Sequence, residues 1–171
     1  MKAVIIILLI GIALLVWLNV NEPAQPFSAY DLPAKQLRAY MSRSTSTDDH
    51  PCLNRSRCLV LYMAPWCPAC RQTKRFVPYV REAMAGQDAG LVVVVGKAWG
   101  NFNGGYDMAR DIGGQVYIDK DSRYWNELRA EINAVPAWVT FRSDGSVVEK
   151  ESGSPGRHDI HSAREFLNDM L

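Results

Sequence analysis

Apolar and polar positions alternate along this chain with several distinct periods, and each period predicts a different element. An uncharged apolar run covers residues 3–18 behind Met1 and Lys2, and reaches residue 20 with Asn19 as its only polar member. It has no polar face, unlike a helix packed on a soluble core. Residues 1–20 therefore read as an N-terminal signal anchor or a signal peptide. The stretch 19–25 lacks a clear small-x-small cleavage pattern, because Glu22 would occupy the upstream small position for a cut after Ala24. That favours the anchor, with Trp17 at the membrane interface. Lys2 and the amino terminus keep the start cytoplasmic, so the rest lies outside the inner membrane.

Residues 21–57 read as a linker and N-terminal extension. Pro23, Pro26 and Pro33 mark the linker, residues 34–41 predict a short helix, and residues 42–49 form a polar loop. Residues 58–63 are continuously apolar, the pattern of a strand buried on both faces. Residues 67–85 predict a helix with Phe76, Val77, Val80 and Met84 on one side, a kink at Pro78 and a stop at Gly86. A second buried strand follows at 91–95, so the strand–helix–strand unit implies a right-handed parallel crossover. Residues 96–115 form a glycine-rich insert with a helix expected over 106–112.

A short strand over 116–118 precedes a helix that Asp121 or Ser122 caps and that runs to Ile132, with Tyr124, Leu128 and Ile132 at helical spacing. Runs at 137–141 and 147–150 flank Ser143-Asp144-Gly145-Ser146, a hairpin signature. An amphipathic helix over 159–171 closes the chain. The fold class expected is α/β, a small mixed sheet flanked by helices over residues 58–171, with the N-terminal membrane helix as an appendage.

Composition narrows the function. The chain has 171 residues, 48% hydrophobic and 22% charged, with a formal net charge of +1. That balance gives no reason to expect a nucleic-acid partner. An exported domain keeps disulfides. There are four cysteines, and Cys67-Pro68-Ala69-Cys70 is a local pair, which leaves Cys52 with Cys58. The readings for that second pair are a structural disulfide closing the 53–57 loop, which is favoured, a second redox pair, or free thiols. At about 3.3 Å per residue, the 58–63 strand separates it from the first pair by roughly 20 Å, too far for direct exchange.

The dithiol suits disulfide exchange. Cys67 stands where a helix begins, so unpaired backbone N–H groups stabilise a thiolate there. Pro68 suits the first helical position, where its missing N–H is not needed. Cys70 lies inside the first turn and is shielded. Cys67 is thus the expected nucleophile and Cys70 the resolving thiol. A zinc site needs about four ligands, and His50, His158 and His161 show no ligand spacing, so no metal and no bound cofactor are expected.

Trp66-Cys67-Pro68-Ala69-Cys70 at a strand-to-helix junction, with Ala134-Val135-Pro136-Ala137 entering a hairpin, resembles the thioredoxin superfamily over residues 58–171. The apolar N-terminus and the insert resemble the membrane-anchored, periplasmic TlpA-like members. The resemblance implies that Pro136 is the cis-proline facing the dithiol. It also implies that the Val135 backbone pairs with a substrate strand and that Trp66 shapes the groove. It implies a thiol–disulfide oxidoreductase acting on protein thiols or disulfides and served by a membrane electron donor or acceptor.

A reductase, for example in cytochrome c maturation, is favoured over an oxidase or isomerase. A non-catalytic binding module or metal carrier is the reading from another class. Three positions depart from thioredoxin itself. Leu61 stands where thioredoxins often bury a proton-relaying aspartate. Pro68-Ala69 replaces Gly-Pro and is closer to glutaredoxin and DsbA-like motifs. Pro78 lies further into the helix. These departures bear on the redox direction.

Overall fold

In the computed structural model, the described residues are 38–41 and 50–171. The predicted anchor over 1–20 lies outside them, and no helix among the described residues is long and apolar enough to cross a membrane.

The sheet is built around strand β2 (Arg57–Met63), whose positions from Cys58 onward are all buried. Such a strand needs neighbours on both edges and cover on both faces. Strand β3 (Ala89–Gly96) lies parallel to it, with Leu61 opposite Val93, and strand β5 (Ala137–Arg142) lies antiparallel, with Leu61 opposite Trp138. Strand β4 (Gln115–Asp119) extends the sheet parallel to β3, strand β1 (Arg38–Met41) pairs antiparallel with β4, and strand β6 (Val147–Ser152) pairs antiparallel with β5. The order is β1-β4-β3-β2-β5-β6.

The helix expected over 34–41 is not what residues 38–41 form. So short a helix is marginal alone, whereas the free edge of β4 supplies a complete hydrogen-bonding partner over Arg38–Met41.

Helices α1 (Pro68–Thr73) and α2 (Val77–Ala83) carry the chain from β2 to β3. They replace the single kinked helix expected over 67–85. Pro78 sits in the first turn of α2, where no intrahelical donor is required, so the break comes just before it, between Thr73 and Val77. Helix α3 (Gly105–Ile112) occupies the insert, and α4 (Arg123–Leu128) follows β4. α4 ends at Leu128 rather than Ile132. Short-range bonds from Ala130 N–H to the Glu127 carbonyl and from Glu131 N–H to the Leu128 carbonyl tighten its end. Helix α5 (Ile160–Met170) packs on α2, and Asp159 caps it by accepting the Ser162 N–H at 2.8 Å.

Neighbouring residues of β2 face opposite layers. On one face Trp138, opposite Leu61, meets Phe166 of α5 at 4.8 Å and Phe76 at 6.3 Å. On the other Tyr62 meets Trp125 of α4 at 5.0 Å and stacks on Tyr124 at 6.3 Å. The core therefore lies on both sides of the strand that ends at the dithiol.

Candidate active site

β2 ends at Met63, and the buried residues Ala64 and Pro65 lead into Trp66 and Cys67. Cys67 is the N-cap of α1, with an extended backbone and a sulfur that accepts the Cys70 N–H at 3.2 Å. That bond satisfies one of the helix's unpaired donors. Pro68 takes the first helical position as expected. Cys70 is fully buried and Cys67 is 5% exposed. Both are free thiols. Burial pushes the Cys70 thiol well above its ordinary range, against the pull of the Ala64 N–H, which reaches its sulfur at 3.4 Å.

The turn before β5 closes the site. The Val135–Pro136 peptide is cis. The Cys67 thiol donates to the Val135 carbonyl at 3.4 Å. Cys67, Cys70, Val135 and Pro136 are thus brought together from two distant parts of the chain. Trp66 flanks them, its indole N–H donating to the Lys97 carbonyl at 2.8 Å. Its ring lies 5.3 Å from that of Trp99, which lies 5.2 Å from Trp125. Arg71 folds back over the same loop, donating to the Pro65 carbonyl at 3.2 Å and the Trp66 carbonyl at 3.4 Å.

Cys52 and Cys58 are not part of this cluster. They form a disulfide at the opposite end of β2, and both are fully buried. Cys58 lies opposite Gly90 of β3. A Cβ at Gly90 would stand 2.2 Å from the Pro51 carbonyl oxygen, so glycine is what lets the 51–57 loop close over the sheet there. Among the described residues, no group of three or more His, Cys, Asp or Glu side chains gathers in a geometry that could hold a metal.

A buried polar group behind the aromatic residues has no counterpart in the sequence reading. Asp119, at the end of β4, is the one buried acid among the described residues. It accepts the Tyr62 hydroxyl at 3.0 Å and the Trp125 and Tyr124 amides at 2.9 and 3.3 Å. It therefore serves the start of α4, the role expected of Asp121 or Ser122. Ser122 instead has a left-handed backbone and makes no side-chain cap bond; its hydroxyl donates to the Ala98 carbonyl at 2.7 Å. Tyr62 also accepts the Ala98 N–H at 3.3 Å. Burial first, and the Asp119 charge second, push the Tyr62 hydroxyl far above its usual range, so it remains a donor to Asp119. An aspartate ending an apolar run just before a helix is the one local sign of this arrangement.

No protein-family model matches the chain, and no curated protein matches it. Solved structures do. StoA from Bacillus subtilis superposes with a TM-score of 0.51 at 12% identity, over 76% of this chain and 96% of that one. MTB dsbF superposes with a TM-score of 0.51 at 17% identity, over 70% and 84%. A thioredoxin-like protein solved in its oxidized form superposes with a TM-score of 0.52 at 16% identity, over 76% and 88%.

The fold is thioredoxin-like. In this thioredoxin-like frame the paired thiols stand at the junction of the central strand and its helix, and the cis Val135–Pro136 turn faces them from the next strand. The thioredoxin-like core here has a leucine at position 61, fully buried against Trp138 and Val93 in register. The buried carboxylate lies instead at Asp119, on the opposite face of the sheet through Tyr62.

Proposed function

We propose that the chain is a thiol–disulfide oxidoreductase that exchanges disulfides with protein substrates through Cys67 and Cys70. The observation that carries this is the pairing of two free thiols in which only one is placed for attack. Cys67 has its sulfur on the Cys70 amide and beside the Val135 carbonyl, and Cys70 sits buried behind it.

In the reducing direction the Cys67 thiolate attacks one sulfur of the substrate disulfide. The Cys67–substrate bond forms, the substrate S–S bond breaks, and one substrate sulfur leaves as a thiolate and takes a proton. The Cys70 thiolate then attacks the Cys67 sulfur, which closes the Cys67–Cys70 disulfide and releases the second substrate thiol. The substrate gains two electrons and the dithiol loses two. The Val135 backbone offers an edge on which an extended substrate segment pairs as an added strand, and Trp66 walls the groove beside the sulfurs. MTB dsbF has been solved in mixed oxidized and reduced forms, the pair of states this cycle needs.

Residues 1–20 anchor the domain on the periplasmic side of a bacterial inner membrane in this reading, where a membrane electron donor re-reduces it. The buried Cys52–Cys58 disulfide supports an exported location, since such bonds persist outside the cytoplasm. The reductase direction, for example on apocytochrome c cysteines, follows the TlpA-like resemblance. Pro68 directly after the first cysteine is shared with both glutaredoxin and DsbA-like motifs, so the second reading, an oxidase or isomerase, stands beside it. Equilibration of the dithiol in thiol–disulfide buffers separates the two. A potential near roughly −270 mV supports the reductase, and one near roughly −120 mV overturns it in favour of the oxidant.

Cys52 and Cys58 hold a structural bond in this scheme. Closing so short a loop stabilises by about 2–3 kcal/mol. The Cys52→Ala/Cys58→Ala chain is expected to melt about 10 °C lower with its exchange rate unchanged. A fall in exchange without a fall in melting temperature would assign the pair to the redox cycle instead.

A further inference from the structure

Trp99 is 56% exposed, yet its backbone is held as firmly as a core turn. The preceding Ala98 has φ 48°, a left-handed conformation that a residue with a Cβ seldom adopts. Both of its backbone polar groups are bonded to buried side chains, the N–H to the Tyr62 hydroxyl and the carbonyl to the Ser122 hydroxyl. Asp119 fixes Tyr62 in turn. On the other side of Trp99, the Gly100 N–H bonds to the Lys97 carbonyl at 2.8 Å. A Cβ at Gly100 would lie 2.4 Å from the Trp66 indole nitrogen, so this close approach requires glycine. The turn holds one indole against Trp66 and Trp125 and leaves most of it facing solvent. Backbone strain braced by buried hydrogen bonds marks a conformation maintained for use rather than for packing, and a rigid exposed tryptophan is the side chain most often found at the centre of a binding surface.

We infer that Trp99 is a specificity-determining residue that receives a bulky apolar side chain next to the substrate cysteine attacked by Cys67. The assignment rests on the exchange function proposed above and names its substrate class. The occupant is the polypeptide segment that carries the disulfide, because the aromatic pair of Trp99 and Trp66 leads to the residue directly before Cys67. Trp99 touches Trp66, Trp66 precedes Cys67 in the chain, and the Lys97 carbonyl ties the Trp66 ring to the turn that presents Trp99. An aromatic or branched aliphatic side chain fits better than a cationic one. The Arg71 guanidinium is bonded to the Pro65 and Trp66 carbonyls on the same loop and repels a second positive charge.

The test uses the pre-reduced full chain and two disulfide-bridged peptides of equal charge, one with Trp and one with Ser beside the attacked cysteine. Second-order exchange rate constants are measured for each. The wild-type chain is expected to favour the Trp peptide by about tenfold. Trp99→Ala is expected to bring that ratio to within about twofold of one, and Trp99→Phe to keep most of it. A ratio unchanged in Trp99→Ala, or a ratio of one in the wild type, overturns the assignment while leaving exchange itself standing. Exchange of neither peptide by the wild type overturns the exchange reading, and the assignment falls with it.

Discussion

The Cys67→Ser chain is expected to lose disulfide exchange by about a thousandfold or more, since the attacking sulfur is gone and Cys70 cannot replace it. Cys70 is fully buried, and its burial holds the thiol protonated well beyond its ordinary range. It is out of reach of a protein disulfide and is a thiol, not a thiolate, at neutral pH. The complementary Cys70→Ser chain keeps the nucleophile and loses the resolving step. It is expected to accumulate covalent complexes with its partners, visible as bands on a non-reducing gel that vanish on reduction.

The same protonation gives the wild-type chain a pH signature. Release from the mixed disulfide needs the Cys70 thiolate. Well below the raised pKa that thiolate is scarce, and each unit of rising pH is expected to increase it, and the release rate, about tenfold. If Cys67→Ser still captured partners through Cys70, the division of labour between the two sulfurs would be wrong.

A large effect on stability away from any cysteine is expected at Asp119. Its carboxylate receives three hydrogen bonds in a site that water does not reach, from Tyr62 and from the Tyr124 and Trp125 amides. Asp119→Ala leaves a buried hydroxyl and two buried amides without an acceptor, at a cost of about 3 kcal/mol or more. Asp119→Asn keeps an acceptor oxygen for part of the set and is expected to cost about half as much. Urea denaturation of the three chains measures both, and an alanine variant no less stable than the asparagine variant would remove Asp119 from this role. The alanine variant is also expected to shift the Trp99 fluorescence, because Tyr62 then loses its anchor and with it the grip on Ala98.

Elements whose pattern carries its own explanation were legible in the sequence. β2 reads as a doubly covered strand because no position from Cys58 to Met63 is polar apart from the Tyr62 hydroxyl, and the β5–β6 hairpin is announced by Asp144-Gly145. The dithiol was legible because its spacing is its chemistry. What the sequence conceals is pairing over long separations. β1 is an edge strand of four residues whose conformation is supplied by β4, and nothing in Arg38–Met41 alone demands it. The Tyr62–Asp119 bond spans 57 positions, so each partner taken singly reads as a core aromatic and a loop acid. Ser122 misled for a related reason. Its residue type suits a helix cap, but a nearer use for its hydroxyl, the strained Ala98 carbonyl, takes it away from α4.

The placement of the four sulfurs has a practical consequence for counting them. Cys52 and Cys58 have no surface through which a solution thiol can approach, whereas Cys67 has some. A mild reductant therefore recharges the working pair without unfastening the loop at the far end of β2. The number of thiols that react after denaturation without reduction then becomes a direct gauge of the site: two per chain when it is charged, none when it is spent.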